Sequence, residues 1–322
     1  MASSAIRIDT DDFINPGAEC VIEDKSKKAE TGEKVQISLD DCLACSGCIT
    51  SAEEIMLQQH NTSEVEKAIK SDKMVVATIS PQSIAALAVD GDIDFVSKLK
   101  NLGVTHIYDT SLADRLALEL SYQEFRDSSN KKPILCSACP GWVVYAEKTH
   151  GELIVPYLSK VKSAQQIMGQ IIKSKNPEAY HFTVMPCFDK KLEAARKNNS
   201  VGEIREVDCV VSTAELKEML SKEDCPMESV EIEKTDQSSE RYDGPVDYLG
   251  SGGYLEFIYR KLKNGSKEEI KFTPYRRNND FMETELEHEG RKIKMAKVYG
   301  FRSIGKIVSL VIFFQTICRV SK

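Results

Sequence analysis

The chain begins its regular alternation at Met74-Val-Val-Ala-Thr-Ile79, which is followed by Ser80 and by Pro81-Gln-Ser-Ile-Ala-Ala-Leu-Ala-Val89. The first run is apolar and rich in β-branched residues, so it predicts a buried strand. Proline is well tolerated in the first turn of a helix, and Pro81 therefore predicts a helix that runs through Val89. A strand directly followed by a helix is the opening of a βαβ unit.

The same alternation continues to about residue 220. Further strands are predicted over Val104–Tyr108, Pro133–Ala138, His181–Met185 and Val207–Val211. Helices are predicted over Leu112–Phe125, Gln165–Lys173 and Asp189–Lys197, with another that ends at Leu220, and capping-box patterns pair Ser163 with Gln166 and Ser212 with Glu215. Strands that alternate with helices predict an α/β fold built on a parallel sheet.

Two cysteines follow predicted strands. Cys139 comes directly after Pro133–Ala138, and Cys187 comes two residues after His181–Met185. Parallel strands end in loops at one edge of the sheet, where α/β proteins place their sites. The sequence therefore predicts that these two cysteines lie at one edge, where they can face the same ligand.

Changes in composition divide the chain into five regions. These are an N-terminal cysteine-cluster segment (1–72), an α/β lobe (73–220), an acidic loop or linker (221–245), the start of a second α/β lobe (246–306) and an apolar tail (307–322). The apolar run of the tail, Ile307–Phe314, is far shorter than the roughly 20 residues that cross a bilayer, so no membrane anchor is expected. We expect the tail to be an exposed apolar end.

The overall composition excludes several classes of protein. The 322 residues are 41% hydrophobic and 29% charged, as in a globular protein of about two domains. Forty-three Lys and Arg against 50 Asp and Glu give a net charge of −7, so no direct nucleic-acid partner is expected. Met1–Pro16 has no apolar stretch for export. In a reducing compartment, 10 cysteines indicate metal or redox chemistry rather than disulfides.

The strongest local signal is Cys42-Leu-Ala-Cys45-Ser-Gly-Cys48. Three cysteines separated by two residues each match the first three positions of a bacterial ferredoxin run. The position of the fourth ferredoxin cysteine is Ala52, so the segment suits a single cluster. A zinc knuckle or three reduced cysteines in a turn are the alternatives, but zinc sites normally use pairs of cysteines or histidines.

A [4Fe–4S] cluster needs a fourth ligand, and Cys20 is the candidate. It lies 22 residues before Cys42 in a polar segment. An arm of that length can fold back over a cluster.

A second set of cysteines lies in Cys136-Ser-Ala-Cys139-Pro-Gly-Trp142 and in Met185-Pro-Cys187-Phe-Asp-Lys-Lys-Leu-Glu193. Taken alone, each cysteine is equally well explained as a buried core residue, and Cys136 with Cys139 as half of a zinc site. Lys190 and Glu193 are three residues apart on a predicted helix, which favours an ion pair over a contact between Lys190 and a bound group.

Together, these two segments resemble the first two signature motifs of iron-only hydrogenases, each of which gives one thiolate to the active-site cluster. Other stretches agree in the family's order, namely Tyr108-Asp-Thr110, Ser163-Ala-Gln-Gln166, Val211-Ser-Thr213 and Gly250-Ser-Gly-Gly253. The resemblance runs from about Val35 to Lys306. It implies hydrogenase-like parallel sheets flanked by helices, preceded by a small ferredoxin-like cysteine-cluster segment.

The chain is more similar to the non-hydrogenase branch, the cytosolic iron–sulfur assembly factors of the iron-only-hydrogenase-like (nuclear prelamin A recognition factor-like) family. This resemblance implies an N-terminal [4Fe–4S] cluster on Cys20, Cys42, Cys45 and Cys48, and half of the ligands of a second cluster from Cys139 and Cys187. It also implies a cytoplasmic location, with a nuclear one as the alternative. The implied partners are a targeting complex with a WD40-propeller adaptor and the apoproteins that receive clusters.

Two departures from the hydrogenase pattern predict a non-catalytic protein. Hydrogenases carry a proton-relaying cysteine directly before the Cys-Pro ligand, but this chain has Ala138, which has no proton to transfer. Cys136 lies two residues further back, too far to replace it. The family's later Cys-x3-Cys pair is also missing, because the similarity ends after Ser303 and the tail holds only Cys318.

Without that pair, a second cluster lacks two ligands. The alternatives are a hydrogenase or electron-transfer oxidoreductase, a prelamin-binding nuclear paralogue, and a zinc-stabilised α/β domain.

Overall fold

The computed structural model describes residues 57–89, 95–128, 133–196, 200–201, 204–221, 253–266 and 268–320. All of them belong to one compact unit, Thr50–Lys322. Cys20, Cys42, Cys45 and Cys48 lie outside the described residues.

The described strands are β1 (Val75–Ile79), β2 (His106–Asp109), β3 (Tyr180–Met185), β4 (Ser200–Val201), β5 (Ile204–Arg205), β6 (Cys209–Ser212), β7 (Thr273–Tyr275), β8 (Asn278–His288) and β9 (Arg291–Val298). The described helices are α1 (Thr62–Ile69), α2 (Pro81–Val89), α3 (Phe95–Leu102), α4 (Ser111–Asp127), α5 (Pro140–Ile154), α6 (Ala164–Lys175), α7 (Asp189–Ala194), α8 (Thr213–Leu220), α9 (Tyr254–Leu262) and α10 (Phe301–Val320).

The centre of the unit is a four-stranded sheet in the order β2-β1-β3-β6, and every neighbouring pair of strands is parallel. The predicted α/β fold is therefore confirmed. All five residues of β1 are buried, because the strand has a neighbour on each side and helices over each face. The predicted strands at Met74–Ile79 and His181–Met185 correspond to β1 and β3.

Alternate residues of β1 enter two separate cores. On one face, Ala77 and Ile79 pack with a cluster that contains Leu87, Leu99 and Leu216. On the other face, Val76 belongs to a cluster with residues of α4 and α6. This division follows from the two-residue period of a strand. Helix α1, which lies in the region assigned to the N-terminal segment, buries Val65 and Ala68 in the first cluster.

One of the two predicted capping boxes is confirmed. The backbone N–H of Glu215 donates to the Ser212 hydroxyl over 3.2 Å, and the N–H of Ser212 donates to the Glu215 carboxylate over 2.7 Å. The box predicted for Ser163 and Gln166 is wrong. Ser163 makes no side-chain cap at α6, because its hydroxyl donates to the carboxylate of Glu193 instead.

The predicted strand Pro133–Ala138 is wrong. Leu135 forms a single parallel bridge with Leu158, and its N–H donates to the carbonyl oxygen of Tyr157 over 2.8 Å. The segment is therefore joined to a neighbouring loop by one bridge and is not a strand of the central sheet. Cys139 therefore follows an extended segment outside the central sheet.

The ends of several other elements differ from the predictions. Strand β2 spans His106–Asp109 rather than Val104–Tyr108. Strand β6 begins at Cys209 rather than Val207. Helix α7 ends at Ala194, three residues earlier than predicted.

The region predicted to begin a second α/β lobe forms helix α9 followed by an antiparallel sheet in the order β7-β8-β9. Strands β8 and β9 are joined at Glu289 and Gly290, with φ angles of 52° and 70°. Two successive positive φ values are typical of the tight turns that suit the twist of a hairpin. Among the described strands, β9 is at the edge of this sheet, and it exposes Arg291, Lys292 and Lys294.

The expectation of an exposed apolar tail is wrong for its first residues. Val308 and Val311 on α10 are buried in a cluster with Ala146 and Ile154 of α5, against which Trp142 also packs. None of the helices in the described part of the chain is both long and apolar enough to cross a membrane.

Two glycines in helices provide a matched test of this packing. A Cβ atom added to Gly169 in α6 would lie 2.5 Å from the backbone oxygen of Glu206, whereas one added to Gly151 in α5 would meet nothing within 4 Å. We expect Gly169→Ala to lower the free energy of unfolding by about 1–3 kcal/mol, because the backbone of Glu206 must move. Gly151→Ala should raise it by about 0.5–1 kcal/mol through helix propensity.

Chemical denaturation followed by circular dichroism measures both changes. Equal stability of the two variants would contradict the close approach of α6 to Glu206.

Candidate functional site

Cys139 lies at the N-terminus of helix α5. It is the N-cap residue, with extended backbone angles, and Pro140 is the first residue of the helix. Proline at this position loses no hydrogen bond and has the φ angle that a helix needs. Cys139 is exposed, and its backbone N–H donates to the hydroxyl of Ser137 over 3.1 Å. The Cys-Pro order thus places a thiol at the start of a helix, within reach of solvent.

Cys187 occupies the turn between β3 and α7. Strand β3 ends at Met185 and α7 begins at Asp189, so the cysteine lies at the carboxyl edge of the parallel sheet. Cys187 is half-buried. Burial, followed by the charge of Asp189, raises the pKa of its thiol to about 11, and Cys139 adds to this shift.

The structure places Cys139 and Cys187 on neighbouring segments, since helix α5, which starts directly after Cys139, contacts helix α7, which starts two residues after Cys187. Gly141 shows how closely the two segments approach. A Cβ atom at this glycine would lie 3.6 Å from the sulfur of Cys139 and 2.5 Å from the Oδ2 atom of Asp189. The first turn of α5 therefore lies close to the first turn of α7, and a side chain at residue 141 would require the carboxylate of Asp189 to move.

Sequence reasoning missed the parts played by Gly141 and Asp189. The available signal was a glycine directly after Cys-Pro, in the first turn of a helix where alanine has the higher helix propensity.

A four-iron cluster needs four protein or external ligands, and the described residues supply two thiols here. Cys136 faces a different environment, next to Ser159 and Glu124, and burial raises the pKa of its thiol to about 11. Cys209 is buried in the core. No group of three or more His, Cys, Asp or Glu side chains in the described ranges could hold a metal ion. The donor set on this part of the chain is therefore half of what a [4Fe–4S] cluster requires.

The ion pair predicted between Lys190 and Glu193 is confirmed. Their charged atoms are 2.7 Å apart, and each side chain is 12% exposed. The other oxygen of Glu193 accepts a hydrogen bond from Ser163 on α6. The ammonium group of Lys190 is thus already held by a carboxylate on its own helix.

A cavity of about 170 Å³ lies beside Cys139. Its wall includes Cys136, Ala138, Glu193 and Tyr254. The side chain of Ala138, which lines this cavity, is only a methyl group. Burial raises the pKa of Tyr254, which is the protonated phenol at neutral pH. Neither residue supplies a group that exchanges a proton readily near pH 7.

Comparison with known proteins agrees with this fold. Residues 73–312 match the family described as iron only hydrogenase large subunit, C-terminal domain. Among solved structures, a variant of the apo [FeFe]-hydrogenase HydA1 from Chlamydomonas reinhardtii has a TM-score of 0.62 at 19% identity, over 77% of each chain. At this identity the likeness concerns the fold.

The relatives by sequence are more similar. The cytosolic Fe-S cluster assembly factor narfl of Xenopus tropicalis is 39% identical over 366 residues, which cover 93% of this chain and 77% of that protein. The cytosolic iron-sulfur assembly component 3 of Mus musculus is 37% identical over 373 residues, which cover 95% and 78%. The chain therefore belongs to the family of cytosolic iron–sulfur assembly factors that share the fold of the iron-only hydrogenase large subunit.

Proposed function

We propose that this chain is a non-catalytic [4Fe–4S] protein of the cytosolic iron–sulfur assembly machinery, which helps transfer clusters to cytosolic and nuclear apoproteins. The observation that carries the proposal is the close approach, at Gly141, of the segments that hold Cys139 and Cys187, next to a cavity that Ala138 lines. The names of the sequence relatives support the same assignment and a cytoplasmic location.

In this proposal the resident cluster is N-terminal, on Cys42, Cys45 and Cys48, with Cys20 as the fourth ligand. The support is the two-residue spacing of the three cysteines, which suits a cubane better than zinc. A cluster held there supplies an inorganic unit that can be transferred or can carry one electron.

Cys139 and Cys187 would contribute half of the ligands of a second cluster. The contact between their segments at Gly141 supports a shared ligand. Among the described residues, no three His, Cys, Asp or Glu side chains are grouped so that they could hold a metal ion, so we expect one cluster rather than two on this chain.

The absence of catalysis rests on the proton path. Proton transfer needs a group within hydrogen-bond reach of the reacting atoms, and a methyl group at position 138 cannot serve. Lys190 is ion-paired with Glu193, which orients its ammonium group toward a carboxylate on its own helix.

The proposed partners are a targeting complex with a WD40-propeller adaptor and the apoprotein clients. A direct nucleic-acid partner is not expected, because the chain has a net charge of −7. A membrane partner is not proposed either.

The number of irons tests the cluster assignment. Protein purified without oxygen should contain about four irons and four sulfides per chain. Cys42→Ala should lose them, whereas Cys187→Ala should keep them. Iron and sulfide analysis with electron paramagnetic resonance measures these contents.

Zinc without sulfide would contradict the [4Fe–4S] assignment. About eight irons, reduced to about four by Cys187→Ala, would show that the second site is completed by other ligands.

Hydrogen evolution tests the absence of catalysis. With a reduced dye as electron donor, iron-loaded protein should evolve no hydrogen above a protein-free control, because Ala138 cannot relay protons. Gas chromatography of the headspace measures the product. A turnover that depends on the protein and is lost in Cys187→Ala would support the hydrogenase alternative.

Capture by immobilised partners separates the proposed function from the nuclear-lamina alternative. We expect the iron-loaded chain to be retained by a WD40-propeller adaptor of the assembly machinery and not by a prelamin tail. Cys42→Ala, tested in parallel, shows whether retention needs the cluster. Binding to the prelamin tail alone would contradict the assembly role.

A further inference from the structure

We propose that Lys191 is a positioning residue that holds the turn at Cys187 and the chain segment at His60 in one fixed arrangement. Lys191 lies on α7, next to the ion-paired Lys190, but its side chain is only 5% exposed. Its ammonium nitrogen is 2.7 Å from the carboxylate of Glu215 and 2.7 Å from the carbonyl oxygen of His60. It also lies 5.0 Å from the centre of the Phe188 ring.

The cost of burying a charge makes these contacts interdependent. An ammonium group out of water is strongly unfavourable unless it is both ion-paired and hydrogen-bonded. If either Glu215 or the carbonyl group of His60 moved away, the remaining contact would not compensate for the lost hydration. The segments that carry the partners are therefore expected to stay in place together or to open together.

The link from Lys191 to Cys187 passes through the first turn of α7. The N–H of Lys191 donates to the carbonyl oxygen of Phe188 over 2.9 Å, and the N–H of Lys190 donates to that of Cys187 over 3.2 Å. Only three residues separate Cys187 from Lys191. Holding the Lys191 side chain thus fixes the orientation of the turn that carries the Cys187 thiol.

The link to the preceding chain passes through His60 and Asn61. The N–H of Val210 on β6 donates to the Nδ1 atom of His60 over 3.1 Å, and the Cys209 thiol donates to the carbonyl oxygen of Asn61 over 3.5 Å. Burial, followed by the charge of Lys191, lowers the pKa of His60 to about 4, so the ring is neutral and can accept. Residues 57–61 are the described residues nearest in sequence to the triplet that ends at Cys48.

Lys173 provides a matched control. Its side chain is 4% exposed, and its ammonium nitrogen lies 2.6 Å from the carboxylate of Asp208 and 2.6 Å from the carbonyl oxygen of Ala179. It therefore has the same kind of partners as Lys191. Ala179 lies at the amino end of β3, however, whereas Cys187 follows the carboxyl end of that strand.

The test measures the reactivity of Cys187 in the full chain, reduced and free of iron. Iodoacetamide labelling is followed at each cysteine by peptide mass spectrometry. Lys191→Met should raise the labelling rate of Cys187 by about tenfold, because the turn is released and opens more often. Lys173→Met should lower the free energy of unfolding about as much as Lys191→Met does. The labelling rate of Cys187 in Lys173→Met should nevertheless stay near that of the native chain. Lys191→Arg should protect Cys187 better than Lys191→Met does, since it keeps the charge and the donors.

An unchanged Cys187 rate in Lys191→Met, or an equal rise in Lys173→Met, would overturn the proposal. If Lys191→Met does not fold, hydrogen exchange of the native chain tests the proposal instead. The backbone amides of 57–61 and 188–194 should then exchange with one common opening free energy. Separate values would overturn the proposal. Because no iron is present, the outcome is independent of whether the chain binds a cluster.

Discussion

Strand β1 is buried along its whole length, and the sheet cannot persist unless helices cover both of its faces. That constraint explains the connections between β1, β2, β3 and β6, since each parallel crossover must return over one face of the sheet. It also fixes where the chain turns at the carboxyl edge. Cys187 lies at that edge because β3 pairs with β1 in register. The chemistry of the turn thus depends on the burial of its neighbouring strand.

Much of the fold could be predicted because its signals are local. The apolar runs at β1 and β3 and the capping box at Ser212 depend on residues within a few positions of one another. Pro133–Ala138 could not be assigned correctly, because its single bridge is formed with Leu158, more than twenty residues away. The cap predicted at Ser163 was wrong for a similar reason, because the carboxylate that accepts a hydrogen bond from its hydroxyl lies on α7.

The features of the candidate site also divide into those that local sequence predicts and those that depend on distant contacts. The motifs of Cys139 and Cys187 were identified through the family resemblance, and the ion pair of Lys190 with Glu193 through helical periodicity. The close approach at Gly141 depends on how α5 and α7 pack, and the burial of Lys191 depends on the path of the chain at His60. Neither follows from a motif. Two adjacent lysines on one short helix have different partners, since Lys190 pairs with Glu193 on the same helix, whereas Lys191 reaches Glu215 and His60.

The charged edge of the antiparallel sheet affects how copies of the protein can contact one another. Its strand β9 presents Arg291, Lys292 and Lys294 to solvent at the edge of the described sheet. Lysines on such an edge repel the same edge of another molecule and make strand-to-strand stacking between copies unfavourable. The charges on this edge therefore disfavour the addition of a strand from a second copy of the chain.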